Sequence, residues 1–110
     1  MKTIKNKSEL AKAIKGMDKA LVLFYASWCP YSQRFLPVFN LYAKTDKNHC
    51  LQVILDDMED VCDDYSISVY PTVLLFEKGK VTKRLDGISG RGLNGKQLSD
   101  FIGACGLKKG

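Results

Sequence analysis

Hydrophobic positions along the chain switch between two periods. Leu10, Ala13, Ile14 and Met17 recur at spacings of three and four, which predicts a helix with one apolar face. Asn6, with Glu9 three residues on, is a capping-box-like start for it, and Gly16 and Asp18 punctuate its end. A brief edge strand over Thr3–Lys5 is expected before it. Ala20–Tyr25 is a continuous apolar run, the pattern of a central strand buried on both faces. From about Cys29 to Ala43, Phe35, Phe39 and Tyr42, with Leu36 beside them, form a helical stripe, and Pro37 inside it predicts a kink. Leu51–Leu55 reads as the next strand, and the acidic stretch Asp56–Tyr65 as a short helix whose first acids suit the positive end of the dipole. Thr72–Phe76 and Lys80–Leu85 are strands joined by a turn at Lys78-Gly79. Asp86–Gly95 is a glycine-rich loop. Asn94 and Gln97 then cap a last helix that buries Leu98, Phe101, Ile102 and Cys105. The order β-α-β-α-β-α-β-β-α predicts an α/β fold, a mixed central sheet flanked by helices on both faces.

Composition narrows this picture. With 110 residues, 45% hydrophobic and 26% charged, the chain is expected to be one soluble globular domain spanning 1–110. The formal net charge of +5 invites a nucleic-acid reading, but its distribution opposes one. No Lys or Arg lies between Asn48 and Glu77, and the basic residues elsewhere form no stripe with interleaved aromatics. Nucleic acid is therefore not an expected partner. Nor is a membrane: Ala20–Ala26 is far too short to span a bilayer. No apolar stretch like a signal h-region follows Met1–Lys7, so the expected location is the cytoplasm, a reducing compartment. Cys29, Cys50, Cys62 and Cys105 contain no C-x-x-C pair, which argues against a zinc site, and a chain this long needs no disulfide staples.

One cysteine stands apart. Trp28-Cys29-Pro30-Tyr31-Ser32 follows the buried strand and opens a helix. A thiol there faces unpaired backbone N–H groups and the positive end of the dipole, and both favour thiolate over thiol. The thiolate is the form that attacks a disulfide. Pro30 lacks an N–H and fits the first helical turn.

With these residues the chain resembles the thioredoxin family over nearly its whole length. The family's strand, W-C-x-x-C motif and helix are matched by Leu21–Tyr25 and Trp28–Ser32, its helix-kinking proline by Pro37, its cis-proline loop by Tyr70-Pro71-Thr72, and its late glycine by Gly87. The resemblance implies the thioredoxin fold and thiol–disulfide oxidoreductase activity. Cys29 would be the attacking thiol, facing a cis Pro71. The backbone of Tyr70 would pair with a client segment, in a groove formed by Trp28, Pro30, Tyr31, Tyr70, Pro71, Gly87 and Ile88. Partners would be proteins with disulfides or oxidised cysteines; no metal or organic cofactor is required, and the family expectation is a monomer.

The sequence departs from the family at one decisive position. Ser32 stands where the resolving cysteine belongs, and a hydroxyl cannot expel a client from a mixed disulfide. The family's buried acid falls on Leu23, and its buried lysine falls near Gln52. The chain is therefore expected to exchange disulfides through a single thiol, resolved by an external or distant thiol or reductase. Two origins of Ser32 stand open: a native monothiol site, or a replaced resolving cysteine of an ordinary dithiol thioredoxin. Cys50, Cys62 and Cys105 are read as bystanders; of the three, Cys62 is the best placed to resolve, because its helix leads into the Pro71 loop, although its acidic neighbours weaken it as a nucleophile. His49 is read as a surface residue.

Two rival readings remain. The Cys-Pro-Tyr-Ser tetrad is similar to monothiol glutaredoxins, with Arg91 in the glycine-rich loop as a possible carboxylate ligand for glutathione. The third reading is a redox-inactive module that binds peptides at Trp28 and Tyr70. For the acidic run near Asp56, a solvated helix start is favoured over a docking surface for a basic partner.

Overall fold

A computed structural model describes residues 3–46 and 49–107. Its elements are β1 (Thr3–Ile4), α1 (Lys7–Lys15), β2 (Lys19–Tyr25), α2 (Pro30–Ala43), β3 (Cys50–Ile54), α3 (Glu59–Asp64), β4 (Thr72–Glu77), β5 (Lys80–Asp86) and α4 (Gly95–Ala104). The five strands form one sheet in the order β1-β3-β2-β4-β5. β1 and β2 both run parallel to β3, while β4 is antiparallel to β2 and to β5. The sheet is thus mixed, as the alternation of elements predicts.

β2 sits in the middle and explains its own composition. Val22 and Phe24 join a core with Leu10 and Ile14 of α1 and Val61 of α3. Leu21, Leu23 and Tyr25 join a second core with Phe35 and Phe39 of α2 and Leu98 and Ile102 of α4. Successive strand residues point to opposite faces, so a strand covered on both sides needs apolar residues throughout.

The caps follow the sequence. Asn6 Oδ1 accepts from the Glu9 N–H at 2.8 Å. Asn94 and Gln97 form a reciprocal capping box, with both bonds at 2.9 Å. α2 continues through Pro37 to Ala43. The strand boundaries shift by one residue from expectation, and the start of α3 shifts by three. α3 begins at Glu59 rather than Asp56, because Asp56 is engaged elsewhere, as described below. β5 extends to Asp86, whose partner in register is Thr72 of β4.

Burial also shapes the response to pH. Cys50, packed under α2, has its thiol pushed up to about 12 by burial and then by Asp46. Burial likewise raises Tyr42 and Cys105. An unfolded thiol titrates near 8.5. Above that pH the unfolded chain releases protons that the folded chain keeps, so stability falls as pH rises. Thermal melting under reducing conditions should show a stable plateau below about pH 8.5 and a falling Tm from there towards pH 12.

Candidate functional site

The end of β2 and the start of α2 build the site. β2 stops at Tyr25, the chain turns over Ala26–Trp28, and Cys29 occupies the N-cap of α2 with an extended backbone (φ −85°, ψ 121°). Pro30 follows as the first helical residue, where a missing N–H costs no helix bond. The Cys29 N–H donates to the Ala26 carbonyl at 3.2 Å, and the Cys29 carbonyl accepts from the Gln33 N–H at 3.0 Å. The Cys29 side chain is buried, whereas Trp28 beside it is 66% exposed.

The loop before β4 lies across from this helix start. The Tyr70–Pro71 peptide is cis. Cys29 Sγ lies 3.9 Å from the Tyr70 carbonyl oxygen, a weak S–H···O contact. Trp28 and Tyr70 meet edge to face, with ring centroids 5.7 Å apart. Thr72 Oγ1 donates to the Val69 carbonyl at 2.9 Å and ties the loop to its own strand. Residues 28–29 and 70–71, with Cys29 and Tyr70 separated by 41 positions in sequence, therefore share one surface.

Gly87 packs on the same loop. A Cβ at position 87 would lie 2.5 Å from the Pro71 carbonyl oxygen and 3.3 Å from two backbone atoms of Tyr70. The obstacle is backbone, so no rotamer change relieves it. Gly87→Ala should cost about 1–3 kcal/mol. It should also slow reaction of Cys29 with peptide disulfides more than with a small disulfide, which needs no contact with the loop. Denaturant melts and paired rate measurements check both parts. Beyond Gly87 the loop closes through an Ile88–Gly92 bridge. Gly92 (φ +73°) packs so closely on Tyr31 that a Cβ there would lie 2.8 Å from the Tyr31 Cβ. Arg34 in turn sits over the Tyr31 ring, 5.5 Å from its centroid. Pro30 at the start of α2 and Ile88 in the loop after β5 are both exposed.

Ser32 points inward. It is 1% exposed, and its Oγ accepts from the Ala26 N–H at 3.3 Å. The hydroxyl thus ties the first turn of α2 back to the end of β2. Leu23 and Gln52, distant in sequence, lie side by side in the β2–β3 register. Leu23 is fully buried. Gln52 Nε2 donates to Thr3 Oγ1 at 2.7 Å, but its buried Oε1 has no partner among the described residues.

Three supporting residues were not visible in the sequence. Asp56 reaches back over the turn before Cys29: its Oδ1 accepts from the Ser27 N–H at 2.9 Å and its Oδ2 from the Ser27 hydroxyl. Gln33 Nε2 donates to the Ser27 carbonyl at 2.8 Å. Asp56 is therefore a brace for the Cys29 loop and not the opening acid of α3. Arg84 holds the other side. It donates to the Tyr65 and Ser66 carbonyls at 3.0 and 3.1 Å and pairs with Asp86 at 2.8 Å. An aspartate within an acidic run and an arginine on an exposed strand carry no local mark of such roles.

The other cysteines separate clearly. All four thiols are free. Cys50 and Cys105 are buried in the core on the α2 side or at the end of α4. Cys62 approaches the site: its Sγ is 3.7 Å from the Tyr70 hydroxyl. Burial, and then this thiol, push the Tyr70 phenol up to about 12. His49 is exposed and contacts Asp46 at 2.6 Å through Nδ1. Among the described residues no group of three or more His, Cys, Asp and Glu side chains is placed to hold a metal ion. A mostly apolar cleft of about 400 Å³ between α2 and α4, lined by Val38, Leu41, Tyr42 and Ile102, includes none of the residues around Cys29.

The family model described as Thioredoxin matches residues 2–103. Thioredoxin from Mycoplasmoides gallisepticum is 33% identical over 88 residues, covering 79% of this chain and 88% of that protein. Endoplasmic reticulum resident protein 44 of Mus musculus is 37% identical over 98 residues, 81% of this chain but only 23% of that longer protein. Among solved structures, a Plasmodium falciparum thioredoxin superposes with a TM-score of 0.83 at 23% identity, covering 94% of this chain and 98% of that one. The zinc-bound form of human ERp44 gives a TM-score of 0.75 at 28% identity over 94% of this chain and 31% of that one.

Proposed function

This chain belongs to the thioredoxin family of thiol–disulfide oxidoreductases, and from that premise we propose that it exchanges disulfides on proteins through Cys29 alone. The observation that carries the reading is the pair of residues at the start of α2. Cys29 stands at the N-cap beside the Tyr70 carbonyl, while Ser32, at the place of a second thiol, is buried and bonded to Ala26.

The chemistry follows from that pair. Cys29 stands at the N-terminal end of α2, the end at which a helix dipole is positive. The Cys29 thiolate attacks one sulfur of a client disulfide held along the Tyr70–Pro71 backbone. The S–S bond breaks, the second client sulfur leaves as a thiolate and takes a proton from solvent, and the client is joined to Cys29. Ser32 cannot repeat the attack. An external thiolate then attacks the client sulfur, frees Cys29, and leaves the client joined to the new thiol. Each step exchanges one disulfide for another, so no metal or organic cofactor is needed. In this reading the protein acts as a monomer in a reducing compartment, the cytoplasm.

Trapping tests this directly. After incubation with oxidised protein clients and acid quenching, mass spectrometry should map mixed disulfides to Cys29. Adducts confined to Cys62, Cys50 or Cys105 would sink the reading.

A further inference from the structure

The short helix α3 divides its charge between two sides. Asp60 and Asp64 turn towards Lys7, whose Nζ lies 4.0 and 2.7 Å from their carboxylates. Glu59 and Asp63, one helical turn apart, face the other way. They line a cleft of about 320 Å³ together with Asp56, Trp28, Cys62 and Tyr70. Asp56 is occupied by Ser27, but neither the Glu59 nor the Asp63 carboxylate has an ion-pair or hydrogen-bond partner among the described residues. Like charges four residues apart repel and weaken a helix, so this pair has a cost that a bound cation would offset. The chain supplies none from this region, since residues 49–77 contain no Lys or Arg.

The opposite wall of the cleft is aromatic. Trp28 is 66% exposed and meets Tyr70 edge to face, which leaves indole surface open beside the carboxylates. Indole faces attract Lys and especially Arg side chains. The cleft is continuous with the Cys29 site, because Tyr70 contributes its ring to the cleft and its carbonyl to the Cys29 contact.

We propose that this cleft is a specificity pocket for a Lys or Arg side chain of the client, close in sequence to the client's disulfide cysteine. The protein then selects basic cysteine-containing segments over acidic ones. This rests on the reading that Cys29 exchanges with proteins, and it adds the chemical class of client. Because the carboxylates are exposed, selection acts mainly on the encounter rate and weakens with salt.

The test uses short cysteine peptides activated as 2-thiopyridyl disulfides, with Arg, Gln or Glu placed on either side of the cysteine. Each rate of mixed-disulfide formation at Cys29 is divided by the rate for 2-mercaptoethanol, which removes the peptide's own reactivity. The uncharged reagent 4,4′-dithiodipyridine reports separately whether Cys29 is competent. At low ionic strength the order should be Arg, Gln, Glu. The Arg-to-Glu ratio should be roughly tenfold, about 1.4 kcal/mol. It should shrink at high salt. In the double variant Glu59→Gln/Asp63→Asn the ratio should fall to about twofold or less, a loss of at least ~0.9 kcal/mol. Asp100→Asn, on α4 and paired with Lys96, should leave it unchanged. Equal rates for all three peptides, or a ratio that survives the double variant, overturn the pocket while leaving exchange intact. No reaction at Cys29 with either the peptides or the uncharged reagent overturns the exchange reading itself.

Discussion

Cys29→Ser should abolish every covalent complex between this protein and its clients. The substitution is close to isosteric, and the polar neighbour of the Cys29 side chain, the Tyr70 carbonyl at 3.9 Å, is one a serine hydroxyl can also meet. The fold should therefore persist, with a Tm within a few degrees of the parent. The chemistry should not. A serine hydroxyl is essentially un-ionised near neutral pH and is a poor nucleophile towards sulfur, so exchange should drop by at least about a thousandfold, below detection in a trapping experiment. Cys105→Ser, in the buried C-cap of α4, should leave trapping unchanged. Persistence of complexes in Cys29→Ser would move the reactive thiol to Cys62, the other sulfur next to Tyr70. A redox-inactive peptide-binding module gives a different pattern: clients bind equally well, without any covalent bond, in both the parent and Cys29→Ser.

Ser32→Cys should produce the opposite change, a gain of dithiol reductase activity. Positions 29 and 32 are the N-cap and third residue of one helix, and residues three apart share a helix face with Cβ atoms about 5–6 Å apart. A disulfide needs roughly 3.5–4.5 Å, a small local closure. The new thiol would attack the Cys29–client disulfide from within the chain. Well-placed intramolecular groups reach effective concentrations far above those of any external thiol. Turnover in an insulin reduction assay with dithiothreitol should rise at least about tenfold, while mixed disulfides become harder to trap because they resolve faster. The gain should stop short of a complete reductase. Leu23 is fully buried where the family carries an acid, so no nearby side chain from β2 takes the proton of the second thiol. Unchanged turnover in Ser32→Cys would show that the absence of a second thiol is not what limits this protein.

Much of the fold was legible in the sequence because period and burial go together. The unbroken apolar run of β2 marked a strand covered on both faces, and Asn94 with Gln97 marked the start of α4 to the residue. These signals are local: a cap or a buried strand needs only its own neighbours in sequence to be recognised. Boundaries failed where a side chain is used at long range. Asp56 looked like the first acid of a helix, yet it bonds to Ser27 twenty-nine residues earlier, and α3 begins three residues later than expected. Arg84 looked like a solvated strand residue, yet it holds the carbonyls of Tyr65 and Ser66.

The sequence by itself determined which side chains stand at the start of the long helix. Trp28-Cys29-Pro30-Tyr31-Ser32 places one thiol at a helix start and a hydroxyl one turn on, and that needs no tertiary knowledge because i and i+3 share a face in any α-helix. Only the tertiary structure decided what surrounds that thiol. Strand β4 pairs antiparallel with β2, which carries the Tyr70–Pro71 loop to Cys29 and brings Gly87 against it. The parallel pairing of β2 with β3 directs the chain after β3 past the same end, so that Asp56 braces the turn and Glu59 and Asp63 reach the Trp28 face. The acidic run thereby stops being a uniform solvated helix. Asp60 and Asp64 pair with Lys7, while Glu59 and Asp63 line the cleft beside Trp28 and Tyr70, a division set by how α3 packs against its neighbours and by nothing in its own six residues.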